Sequence, residues 1–228
     1  MSFTRELSRA RAMAWKDLRT ERRSQANFNS VLFLALLMLL LFGFALGPDA
    51  DGLRQATGGV LWLTVLFSGV QAFNRSYQVE LDNAALETLL LYPGDRWPIF
   101  AGKVAANLVF VLAVEVVTVP LAAVLYHAPL DRAMPMLAIV MFLGTVGFVT
   151  LGTFYAALAS RSRAREVLLP LLLFPMLVPV LIAAAKATAV LVSGDVMGDA
   201  GSWLRLLVAF DLIFFAASIF VFDAVIGA

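Results

Sequence analysis

Apolar residues run through this chain in long blocks, not in the short alternations of a soluble fold. Six blocks lie near residues 28–46, 56–73, 99–127, 134–159, 167–192 and 203–226. Each can cross a hydrocarbon layer of about 30 Å at about 1.5 Å per residue. Turn-forming and polar residues divide them: Gly47-Pro48-Asp49-Ala50-Asp51-Gly52 closes the first, and the stretch from Ser193-Gly194-Asp195 to Gly201-Ser202 separates the last two. Lipid offers backbone N–H and C=O groups no partners, so a single crossing segment must satisfy its own as a helix. The pattern predicts an all-α integral membrane protein with about six transmembrane helices over 28–228.

The first 27 residues follow another pattern. Phe3, Leu7, Ala10, Ala14 and Leu18 recur at helical spacing, Arg5, Arg9, Lys16 and Arg19 lie largely off that stripe, and Trp15 flanks it. This predicts an N-terminal amphipathic helix in the membrane interface, its stripe in the acyl boundary and its cations among headgroups. A disordered basic arm is the alternative. The block from Phe28 reads as a retained helix: it is longer than a signal-peptide core, and Glu6, Asp17 and Glu21 are mixed with the preceding bases.

Between the second and third blocks, residues 74–98 hold a short polar and apolar mixture. Leu81, Leu86, Leu89 and Leu90 fall on or near one helical face, while Glu80, Asp82 and Glu87 populate the rest and Pro93 stops the run. Anionic lipid would repel such an acidic helix, so a protein partner suits it better than the membrane surface. It is the pattern expected where a membrane subunit docks a separate ATPase. Glu80, Leu86, Glu87, Leu89, Leu90 and Pro93 are the candidate coupling residues; a packed loop helix without a partner is the plain alternative.

Charge then sets orientation. Arg5, Arg9, Arg11, Lys16, Arg19, Arg22 and Arg23 precede the first block, Arg75, Arg96 and Lys103 surround the second loop, and Arg161, Arg163 and Arg165 follow the fourth block. The opposite side has Arg54 and Arg132, with Arg205 near its surface. The positive-inside rule places both termini in the cytoplasm. Of the 228 residues, 61% are hydrophobic and 14% charged, so little basic surface remains to hold a nucleic acid. There is no cysteine, which removes disulfides and thiolate metal sites from this chain.

Catalytic patterns are missing as well. The chain has no H-E-x-x-H, no G-x-S-x-G and no Walker A sequence; Gly102-Lys103 lacks the first Gly and the following Ser or Thr of a phosphate-binding loop. No catalytic, cofactor or metal residue is expected here, and any ATP hydrolysis belongs to another chain. Three ionisable residues interrupt the blocks: Glu115 and Lys186, about 24 and 28 Å from the cytoplasmic ends of their helices, and Asp211, about 12 Å from the outer end of its own. Such groups normally face the bundle and find partners, so Lys186 is expected to pair with Glu115 or Asp211; substrate handling, including proton-driven transport, is the rival role. Pro170, Pro175 and Pro179 predict a broken or strongly kinked fifth span, and Pro120 a kink in the third. Gly152, Ala156 and Ser160 form a row of small residues suited to close helix approach.

Taken in order, several segments resemble a known family. They are Lys16-Asp17-Leu18-Arg19-Thr20-Glu21-Arg22-Arg23, Gly59-Val60-Leu61-Trp62, Asn74-Arg75-Ser76, Ala85-Leu86-Glu87-Thr88-Leu89-Leu90-Leu91-Tyr92-Pro93 leading to Gly102-Lys103, and Leu168-Leu169-Pro170-Leu171-Leu172-Leu173-Phe174-Pro175 with Pro179. The chain resembles the haem exporter protein B family, the B-type permeases of cytochrome c maturation, within the polysaccharide and drug-type ABC exporters. The resemblance implies a non-catalytic permease in the bacterial inner membrane. It also implies a cytoplasmic ATPase subunit that binds the ATP, a haem-handling membrane protein, a periplasmic haem chaperone, and a second permease copy or a related permease. Haem would be cargo, with no ligand carried over; Glu80 and Leu86 to Pro93 match the ATPase-facing segment. A permease for another cargo, such as a drug or polysaccharide, and a structural anchor without energy coupling are the rival readings. The single histidine, His127, stands beside Tyr126 at the outer end of the third block, where an interfacial polar residue is expected and axial haem ligation is the sharper alternative.

Overall fold

A computed structural model describes residues 3–23, 25–82, 96–129, 134–160, 162, 164–195 and 198–227, with 3, 79–82, 165, 166 and 223–227 described by backbone alone. The described residues form seven helices: α1 (Phe3–Arg23), α2 (Gln25–Leu46), α3 (Ala50–Asp82), α4 (Trp97–Leu125), α5 (Met134–Ser160), α6 (Arg165–Ser193) and α7 (Ala200–Gly227). Six of them, α2 to α7, are long and apolar enough to span a membrane. An even number of crossings returns both termini to one end of the bundle. That end also carries the α3–α4 and α5–α6 connections.

The bundle is built around α5, which packs against α3, α4, α6 and α7. Lipid tails are as apolar as leucine, so association among these helices depends on fitted packing and hydrogen bonds, not on escape from water. The fit between α3 and α5 is aromatic ring against glycine. A Cβ on Gly144 would lie 2.2 Å from the Trp62 ring, one on Gly152 2.0 Å from Phe73, and one on Gly69 2.2 Å from Phe148. The predicted small-residue row on α5 is therefore buried at Gly152, Ala156 and Ser160, but at Gly152 it admits a ring instead of a neighbouring backbone. Trp62 reaches on to α6, where its indole Nε1 donates to Thr188 Oγ1 at 3.0 Å. Asn107 of α4 donates to Thr153 Oγ1 of α5 at 3.0 Å, and Tyr126 donates to the Leu39 carbonyl of α2 at 2.6 Å.

The proline-rich α6 is not broken. It runs as one helix with Pro170, Pro175 and Pro179 inside it. Pro175 and Pro179 are four residues apart and both face outward, while Leu169, Leu173, Leu177, Val180 and Ala184 make a fully buried seam on the opposite side. The lost backbone donors thus fall away from the packed face. Pro120 likewise sits inside a continuous α4. The second span also continues further than its apolar pattern indicates: α3 stays helical to Asp82, so the opening of the loop at 74–98 is the last two turns of a transmembrane helix.

Candidate functional site

The first helix is more than an interfacial float. α1 lies along the beginning of α4, burying Glu6, Ala10 and Met13. Gly102 of α4 makes this approach possible, since a Cβ there would come within 2.6 Å of the Ala10 carbonyl oxygen and 2.7 Å of Met13 Cβ. The predicted stripe is thereby corrected by a part-turn: Ala10 faces protein, whereas Leu7 and Trp15 remain exposed. Glu6 is tolerated on the packed face because Arg9 pairs with it at 2.8 Å.

Next to Gly102, the side chain of Lys103 is fully buried. Its Nζ donates to the Ser76 carbonyl at 3.0 Å and lies 3.3 Å from Asp17 Oδ2 and 4.5 Å from the centre of the Tyr77 ring. Asp17 is also 3.2 Å from Lys16. A buried ammonium is stable only when charge and hydrogen bonds replace its water, and here a carboxylate, a carbonyl and an aromatic face do so together. One cation thus joins α1, the end of α3 and the start of α4. Phe100, close by on α4, packs against Phe222 near the end of α7, ring centres 4.9 Å apart. The node stands at the base of the α3–α4 connection and fixes both of its stems.

Of the candidate coupling residues, Leu86, Glu87, Leu89, Leu90 and Pro93 lie outside the described residues, and Glu80 is described only as backbone within α3. Sequence reasoning missed Lys103 and Asp17, treating the first as a loop charge and the second as one acid among bases. A signal was present: Glu6, Ala10, Met13 and Asp17 form their own stripe at helical spacing, and Lys103 follows a glycine inside an apolar run.

The intramembrane ionisable residues do not come together as expected. Glu115 is buried and accepts a hydrogen bond from Thr145 Oγ1 at 2.5 Å. Asp211 is buried against Gly147, where a Cβ would lie 2.4 Å from its Oδ1, and neither of its oxygens has a hydrogen-bond partner among the described residues. Lys186 is exposed on the outside of α6 and pairs with neither carboxylate. The pairing fails because the buried side of this part of α6 is Ala183, Ala184, Ala187 and Thr188, and a long lysine at that depth reaches the interface by extending outward. His127 is exposed in the turn after α4 at φ 50°, its carbonyl accepting from Arg54 Nε at 3.3 Å. Among the described residues no cluster of His, Asp or Glu has a geometry able to hold a metal ion.

The architecture defines a multi-pass helical membrane protein in which a buried lysine joins α1, α3 and α4 at the termini-bearing end. Comparison with known proteins narrows the class. The family model CcmB protein matches residues 8–227. Heme exporter protein B of Rhodobacter capsulatus is 32% identical over 176 residues, covering 77% of this chain and 80% of that protein. Proteins of the same name from Paracoccus denitrificans and Pseudomonas aeruginosa are 29% and 28% identical, over 78% and 84% of this chain and 81% and 85% of theirs. This chain belongs to the CcmB protein family.

Proposed function

We propose that the chain is the non-catalytic permease subunit of an ABC-type transporter complex for cytochrome c biogenesis. It would export haem, or convert ATP hydrolysis on a partner into haem transfer and release of a periplasmic haem chaperone. In this reading the chain sits in the bacterial inner membrane with both termini in the cytoplasm. Residues 1–27 form the cytoplasmic interfacial helix, and 28–228 form the six-helix permease unit with its coupling loop at 74–98. A cytoplasmic ATPase grips that loop through Leu86, Glu87, Leu89, Leu90 and Pro93, with Glu80 at its entrance. The haem-handling membrane protein, the chaperone and a second permease complete the assembly, and ATP stays on the ATPase.

The observation that carries this reading is the buried Lys103 node. Ser76 and Lys103 flank the acidic, leucine-rich loop, so a pull on that loop reaches α1, α3 and α4 together instead of bending one helix. A bundle with two arrangements, biased from that point, is all an ATP-driven permease requires. The family's curated members, named for haem export, supply the cargo. The test is co-purification of the cognate ATPase with Glu87→Lys and Leu86→Asp variants, alongside c-type cytochrome assembly in a deletion strain. Loss of both with the permease still present in the membrane is the expected result. ATPase capture and cytochrome assembly at wild-type levels in both variants would overturn the coupling role.

A further inference from the structure

We propose that the cleft between α2 and α3 at the termini-bearing end of the bundle is a binding site for one anionic phospholipid, its phosphate held by Arg75 and its acyl chain laid along α2. Asn74, Arg75 and Gln78 belong to the helical opening of the 74–98 segment, so the site adjoins the Lys103 node, but it does not depend on the cargo.

Near the bundle's end, α2 and α3 enclose a cleft of about 380 Å³ lined by Ser30, Gln71, Asn74, Arg75 and Gln78. Such a run of amides and a guanidinium on the outside of two membrane spans is costly beside acyl chains but well placed at headgroup depth. Gln71 Nε2 donates to Ser30 Oγ across the cleft at 3.1 Å, and Asn27 also lines it. Of the neighbouring acids, Asp17 is paired with Lys16 and Lys103, while Glu21 accepts only a neutral amide hydrogen bond from Asn27 at 2.9 Å and has no ion pair among the described residues. Arg75 is exposed and has no ion pair among the described residues. The cleft thus presents one uncommitted cation surrounded by amide donors, which suits a phosphate.

The ligand's other end is set by what lies deeper. From Ser30 the outward face of α2 continues as Phe33, Leu37, Leu41 and Phe44, all exposed, with Phe33 at 68% and Phe44 at 82%. On α3, Phe67 and Leu63 are exposed at helical spacing from Gln71, the Phe67 ring lying edge-on to Phe174 of α6. Polar at headgroup depth and apolar beyond it, the groove matches an amphiphile with an anionic head and a long tail.

Native mass spectrometry of the full chain released from detergent, titrated with palmitoyl-oleoyl phosphatidylglycerol, tests the site. The wild type should hold one lipid, Arg75→Gln should weaken retention about five-fold, and Arg75→Lys should recover most of it. Dihexanoyl phosphatidylglycerol and inorganic phosphate should compete poorly, because both lack the long tail. Equal retention by wild type and Arg75→Gln overturns the proposal. Displacement by inorganic phosphate also overturns it, reducing the cleft to a free-anion site. So does efficient Ser30→Cys cross-linking between two copies, which would make the groove an interface.

Discussion

The Lys103 side chain is fully buried on α4, and its partners come from two other helices, α1 and α3. Removing one member of a buried ion pair leaves the other uncompensated, which costs about 3–5 kcal/mol, while replacing both with apolar residues is often neutral. Asp17→Ala should therefore destabilise the protein in detergent by about that amount. Lys103→Met should cost less, and the double variant should regain much of the loss. A double-mutant cycle on thermal unfolding measures this, and additive effects would mean that the two side chains act separately. The same residues show where sequence reading stops. Periodicity states which side of a helix a residue occupies, not which helix faces it. Lys103 and Lys186 both look like single charges in or beside an apolar run, yet one is fully buried and the other exposed. What separates them is a glycine at position 102 and an aspartate 86 positions away, a relation that no local pattern contains.

Among the helices, α3 and α5 are tied by exchange of shape: rings of Trp62 and Phe73 enter notches at Gly144 and Gly152, and Phe148 enters one at Gly69. Gly152→Leu would have to expel Phe73, and overpacking of this kind costs about 1–3 kcal/mol. Pro179→Ala on α6 changes an exposed position and restores a missing backbone donor, so it should leave stability unchanged or raise it slightly. Thermal melts of the two variants should move in these opposite senses; a Gly152→Leu protein as stable as the wild type would show that the notch is not needed. The spans themselves were legible because lipid penalises any uncovered polar backbone, and five of the six apolar blocks agree with a helix to within a few residues, while the second, 56–73, falls well short of α3 at both ends. Their inward faces were less legible. A helix that is apolar all round has no polar side to mark the exterior, so the continuity of α6 and the turn of α1 towards α4 required the packed structure.

For the whole molecule, the motor reading turns on the side of the membrane that receives the α3–α4 connection. Topology links it to everything else. With six crossings, α1, that connection and the α5–α6 turn share one end, while His127 lies at the other. The arginines and lysines collect on the first side, so the positive-inside rule predicts that side to be cytoplasmic. The absence of native cysteines allows a direct measurement with single-cysteine variants and a membrane-impermeant maleimide. His127→Cys, exposed in its turn, should label in spheroplasts, whereas Ser162→Cys and Glu87→Cys should label only after the membrane is opened. Glu87→Cys labelling from outside would place the acidic loop beyond the reach of any cytoplasmic ATPase. The helical bundle and the family membership would stand, but the Lys103 node would then brace a periplasmic contact and not a motor.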